Sequence, residues 1–231
     1  MFYFDYYYVI LVVPALILSL WAQSKVSSTY SKYSKKHSVR GVTANQVARD
    51  ILDSNGLNHI PIEHISGNLT DHYDPKTKVV RLSDSVYQSS SIAAIGVAAH
   101  EVGHAVQHSV SYAPLKARNG IFPAVSFANK LALPVALLGA VLSYPNVIVI
   151  GLALFSLTVL FQLITLPVEF NASKRALMVL ETDGYLTPDE IKGTKKVLSA
   201  AAMTYVAAAL TSIASFLRLV LIFFGNNRRR R

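Results

Sequence analysis

Residues 98–108 read AAHEVGHAVQH. Positions four apart lie one turn above each other on the same face of an α-helix. His100 and His104 can therefore present two imidazoles to one metal ion, and zinc is the ion that this arrangement suits. Glu101, next to the first histidine, is of the type that takes a proton from a zinc-activated water in an HExxH arrangement. Gly103 removes a side chain near the metal and permits close approach of another helix. The competing reading is coincidence, since ordinary usage of His and Glu produces this pattern in roughly one chain in a hundred of this length. The context favours chemistry: the motif falls in a predicted helix, after a strand, with small residues on the helix's other face.

Two histidines do not complete a catalytic zinc site, which takes three protein donors and keeps one position open. The chain has no cysteine, so the third donor is a His, Asp or Glu. A local HExxHxxGxxH continuation is excluded, because Gln107 and Val110 stand where its glycine and last histidine belong. His108 is the local alternative, but on a 3.6-residue helix it is rotated about 80° from His100 and points off the site. Glu169 is the distant one, immediately after an apolar run and at the start of EFNASKRAL. A carboxylate there suits a metal, and it equally suits an ordinary polar helix end, where acids favour the first turn.

The elements that must position these residues follow from composition. Of 231 residues 52% are hydrophobic and 15% charged, where a soluble domain carries about a quarter charged residues. Residues 6–24 hold no charge, begin with tyrosines and nearly end on Trp21, as an uncleaved membrane anchor does. No basic stretch precedes this run and no small-residue cleavage site follows it, which argues against a signal peptide. Residues 25–120 read as a small polar lobe. It has a helix bearing Val47, Ile51 and Leu52 and stopped at Gly56, short strands including VVRL, and the HEVGH helix with serines available to cap it. Residues 121–168 predict a helical hairpin with arms at about 123–142 and 147–167 broken by SYPN, and Lys130 inside the first arm. Residues 169–196 predict a helix carrying Glu169. Residues 197–231 form a hydrophobic helix closed by Arg218 and followed by a basic tail. The expected fold is thus an α-helical membrane protein of three or four transmembrane helices with a small α+β lobe.

The net charge of +9 does not point to nucleic acid, because the basic residues flank apolar runs and no recognisable motif interleaves them with aromatics. Lys25, Lys32, Lys35, Lys36, Arg40, Lys116, Arg118, Lys174, Arg175, Lys192, Lys195 and Lys196 fall on one side of this layout, which the positive-inside rule makes the cytoplasm. Arg228 to Arg231 disagree if the last segment crosses.

The order of HExxH, two apolar spans and then E-x-x-A-x-x-R from Glu169 resembles the membrane zinc metallopeptidases related to HtpX and the CAAX prenyl proteases. Over essentially its full length, with AAHEVGHAVQH and LPVEFNASKRAL, the chain resembles the YugP family of neutral zinc metallopeptidases. The resemblance implies a gluzincin-type lobe, with His100, His104 and Glu169 on zinc (Zn2+) and Glu101 as general base. The chain departs from the HtpX-like pattern at Ser173, where that pattern has an acid that orients a ligand histidine; a hydroxyl can accept the histidine N–H but does not raise its basicity as a carboxylate does. Asn171 either assists there or faces solvent. His72 and Tyr73 are turn residues or lie near the cleft as donors to an oxyanion, and Arg175 either polarises the carbonyl or snorkels. If the VVRL strand borders the cleft, an extended peptide can add to its edge.

The expected activity is peptide-bond hydrolysis by a multi-pass plasma-membrane zinc endopeptidase with its lobe in the cytoplasm. Its partners would be the lipid bilayer and peptide or protein substrates, membrane proteins among them. The alternative is a non-catalytic, zinc-stabilised membrane scaffold or quality-control adaptor, which has no use for Glu101. A transporter-like bundle would use Lys130 and Arg218 and would leave HEVGH unexplained.

Overall fold

The structure is a computed structural model that describes residues 5–225; Arg228 to Arg231 lie outside the described residues. A π-helical turn, Tyr8–Val12, leads into α1 (Val13–Tyr33), followed by α2 (Ala44–Ser54), β1 (Ile62–Ile65), β2 (His72–Asp74) and β3 (Val79–Ser83). Then come α3 (Ile92–Ser109), α4 (Ala113–Val141), α5 (Pro145–Thr182) and α6 (Pro188–Phe224). Among the described residues, four helices are long and apolar enough to cross a membrane: Tyr8–Tyr33, α4, α5 and α6. The chain divides into two compact units, one of residues 5–22, 116–166 and 203–225, the other of Gln23–Leu115 and Pro167–Ala202.

In the first unit the hairpin arms reach beyond the expected bounds. Lys116 and Arg118 are good helix formers, so α4 starts at Ala113, ten residues before the predicted arm. Pro123, Pro134 and Pro167 all sit inside helices. Such prolines are tolerated in membrane helices because neighbouring groups satisfy the freed carbonyls. α5 therefore does not end at 167 but continues through Glu169. The SYPN break holds, with Ser143 in the left-handed region at φ 59° and the Tyr144 N–H donating to Gly139 O at 2.8 Å. Close packing of the two arms depends on Gly139 and Gly151. A Cβ on Gly151 would lie 2.5 Å from Ala136 N, and one on Gly139 would lie 2.6 Å from Ile148 N. Arg218, expected to close the last segment, donates through Nε and a terminal nitrogen to Asp5 at 2.9 and 2.6 Å, and its guanidinium lies over the Tyr8 ring. Ser19 and Thr211 share a hydrogen bond of 3.1 Å, and Thr211 also donates to Ala15 O. Lys130 is exposed on α4 and is not buried against a neighbouring helix.

In the second unit the expected helix around Val47, Ile51 and Leu52 is α2, with all three buried. Gly56, at φ +70°, ends the turn that follows it. The sheet has the order β1-β3-β2, parallel between β1 and β3 and antiparallel between β2 and β3. VVRL is therefore the central strand, with Val79, Val80, Leu82 and Ser83 buried. Its edges are already paired, so it cannot take an added peptide strand; the free edges belong to β1 and β2. Arg81 in the middle of this strand reaches carboxylates on both neighbours, Glu63 of β1 at 2.9 Å and Asp74 of β2 at 3.2 Å. Ser91 caps α3, accepting from the Ala94 N–H at 3.2 Å. α3 is wrapped by its neighbours, with Ile92, Ile95, Ala98, Ala99 and Val102 in a core shared with Leu52, Leu82 and Leu180.

A Gly151→Val variant should lose about 1–3 kcal/mol of stability, because backbone on the facing arm cannot yield. Gly120→Ala, on α4 with nothing within 4 Å of its Cβ, should melt at or above the wild-type temperature. Thermal melts of the purified protein in detergent would check both, and an unchanged Tm for Gly151→Val would refute the packing argument.

Candidate metal centre

Three turns of α3 carry His100, Glu101, His104, Gln107 and His108. Relative to His100, His104 is rotated by about 40° and Gln107 by about −20°, whereas Glu101 and His108 are rotated by about 100° and 80°. The helix thus has one stripe of 100, 104 and 107, and a second of 101 and 108. The first stripe meets α5. Contact is close at Gly103, where a Cβ would lie 3.0 Å from Ala172 O, as the glycine predicts.

This approach brings Glu169 to the two histidines. Its Oε2 lies 3.3 Å from His100 Nε2 and 3.4 Å from His104 Nε2, and the two Nε2 atoms are 3.2 Å apart. These three residues form a group whose ligand atoms lie within 4.8 Å of one another. Zinc–nitrogen and zinc–oxygen bonds of about 2.0–2.1 Å at tetrahedral angles require donors about 3.3 Å apart. The observed spacing fits that requirement on all three edges. Glu169 and His104 are buried, at 3% and 9% exposure. His108 is outside the group, as its rotation predicts.

The far nitrogens of both rings are also engaged. His100 Nδ1 is 3.1 Å from Ser173 Oγ, and His104 Nδ1 is 3.0 Å from Gln107 Oε1. The orientation of the Gln107 amide follows from its other end, which donates to Val168 O at 2.8 Å and to Asn171 Oδ1 at 3.0 Å. Its oxygen therefore faces His104 and accepts from Nδ1–H, which leaves Nε2 with its lone pair in the neutral ring. Arg175 Nε donates to the same Asn171 oxygen at 2.9 Å. Arg175 thus braces Asn171 rather than only snorkelling, and Asn171 faces Gln107 rather than solvent. Burial works against a charge on His104, but Glu169 and Glu101 outweigh it and raise the pKa of the ring.

Gln107 is the residue that sequence reasoning missed. It served there only to exclude a glycine, although its i+3 spacing from His104 places it one turn away on the same stripe.

The second stripe meets β2. Glu101 Oε2 accepts the backbone N–H of Tyr73 at 3.0 Å, and the Tyr73 hydroxyl is 2.8 Å from His108 Nδ1. Burial, with the Asp74 charge, pushes the Tyr73 phenol up to about 12, so it stays protonated at neutral pH. Upstream, Asp71 accepts the Ser83 N–H at 2.7 Å and the Ser83 hydroxyl at 3.0 Å, tying the entry to β2 onto β3. His72 is exposed, with Nδ1 2.8 Å from Thr70 O, which is the turn role.

The chain is 53% identical over 218 residues to a Bacillus subtilis (strain 168) protein named "Putative membrane protease YugP", covering 94% of this chain and 97% of that protein. No solved structure matches the chain significantly. A family model described as "Putative neutral zinc metallopeptidase" matches residues 8–224, and the chain belongs to that family.

Proposed function

We propose that the chain is a membrane-embedded zinc endopeptidase with a gluzincin-type site, in which His100, His104 and Glu169 hold zinc and Glu101 is the general base. The observation that carries this reading is the spacing of 3.2–3.4 Å among the three donor atoms, with a carboxylate on the adjoining stripe of the same helix. When bound, zinc supplies Lewis-acid polarisation of a carbonyl and acidifies a water at the open position. Glu101 takes a proton as the water oxygen bonds to the carbonyl carbon. It then delivers that proton to the departing amine as the C–N bond breaks. Gln107 keeps His104 in the tautomer whose inward-facing Nε2 carries the lone pair, and Ser173 holds the orientation of the His100 ring. The substrates are peptides or proteins, membrane proteins among them.

The lobe is assigned to the cytoplasm by the basic residues between Lys25 and Arg40, which follow the first apolar run. The chain has no cysteine, so one introduced thiol reports the side. Asn58→Cys, at an exposed position, should react with a membrane-impermeant maleimide only after the cells are permeabilised; labelling in intact cells would reverse the orientation.

Metal content and turnover separate the roles of the site residues. Purified wild-type protein should contain one zinc and cleave an unfolded casein substrate. Glu169→Ala should lose most of the metal, whereas Glu101→Gln should keep it and lose at least about 100-fold in kcat. Full zinc occupancy in Glu169→Ala would remove that residue from the site, and wild-type cleavage by Glu101→Gln would remove the mechanism.

Gln107→Leu leaves Nδ1 of His104 without its acceptor. It should weaken zinc binding by about 10–100-fold in a competition titration with a chelator. An affinity equal to wild type would mean that the amide does not orient the ring.

A further inference from the structure

From the contact between β2 and α3, and resting on the reading of Glu101 as general base, we infer that Tyr73 is the positioning residue for that base. Its backbone N–H orients the carboxylate, and its hydroxyl anchors the strand to the same helix through His108.

The register of the sheet carries the argument. Tyr73 pairs with Val80 across the antiparallel β2–β3 ladder, and the Val80 N–H turns away from β2 to Pro61 O at 3.1 Å. In an antiparallel ladder hydrogen-bonded and non-hydrogen-bonded pairs alternate, so Tyr73 and Val80 are a non-hydrogen-bonded pair. The Tyr73 N–H therefore points out of the sheet edge, and there it meets Glu101 Oε2 at 3.0 Å. An edge N–H is a donor without a ladder partner, and a hydrogen bond to a carboxylate is the stronger, charge-assisted kind. The same residue reaches His108 Nδ1 at 2.8 Å. Residues seven apart share a helix face, so one tyrosine grips α3 at two points on one stripe. The N–H sets the direction of the Glu101 carboxylate, and the hydroxyl adds a second tie between β2 and α3.

The geometry also makes a clean test. Proline at 73 removes the N–H without removing a ladder bond. Phenylalanine keeps the N–H and removes only the anchor to His108. In the full-length protein, Tyr73→Pro should lower kcat by about 10–100-fold while KM and zinc content stay within twofold of wild type. Tyr73→Phe should retain most of the kcat. Independently of metal and turnover, the Tyr73 amide of the metal-free protein should exchange slowly with solvent, and at least tenfold faster in Glu101→Ala. This exchange arm tests the contact between the N–H and the carboxylate even if Tyr73→Pro misfolds; a wild-type protein that hydrolyses nothing would instead sink the proposed function, whatever the exchange result. Unchanged exchange in Glu101→Ala would overturn the inference, as would a folded, zinc-bound Tyr73→Pro with wild-type kcat.

Discussion

The contact between α3 and α5 at Gly103 is the constraint on which the candidate site depends. Three lone pairs must meet at one point, and imidazole and carboxylate arms are short, so the two helix backbones have to come nearly into contact. With Ala172 O only 3.0 Å from where a Cβ would stand, any side chain at 103 would push α5 outward and carry Glu169 with it. A Cβ alone would require Ala172 to give by a few tenths of an ångström and a larger side chain by more, against metal–ligand distances that tolerate about 0.2 Å. The glycine is therefore as much a part of the site as the donors. A similar condition holds about two turns earlier in α3, where a Cβ on Gly96 would lie 2.5 Å from the Thr194 methyl.

Close helix packing creates a second requirement. Polar groups enclosed between α3 and α5 must find partners there, because an unsatisfied buried donor or acceptor costs about 1–3 kcal/mol. Gln107 meets it with both ends of its amide, accepting from His104 while donating to Val168 O and Asn171. Arg175 satisfies the remaining capacity of the Asn171 oxygen. The result is a directed chain of hydrogen bonds in which a surface cation sets an amide, the amide sets another, and the last sets a histidine tautomer. Ser173 holds the orientation of the His100 ring in one step. The absence of a carboxylate at 173 leaves the cluster less negative than an acidic pattern would, so the inward lone pairs rest on neutral acceptors.

Much of this was legible in the residues. HEVGH placed two imidazoles on one face because the helix period is a property of the backbone. The rotation of about 80° that takes His108 off that face follows from the same number. The apolar runs announced their own length, and the small residue at 103 announced a close neighbour. Helix ends were less legible, since Pro167 reads as a stop in water and not in a membrane helix, where α5 runs on to Thr182.

What the string of residues cannot express is which groups separated by 65 or 28 positions end up in contact. Glu169 was a candidate by type and by resemblance, but its distance from the histidines is set by how α5 packs on α3. VVRL was visible as a strand, whereas its central place in the order β1-β3-β2 depends on which strands pair. The partner of Glu101 is a backbone N–H, which every residue but proline possesses, so no side-chain pattern marks it. Helix periodicity acts over a few residues and is written locally; packing and strand register arise from long-range burial and are written only in the folded chain.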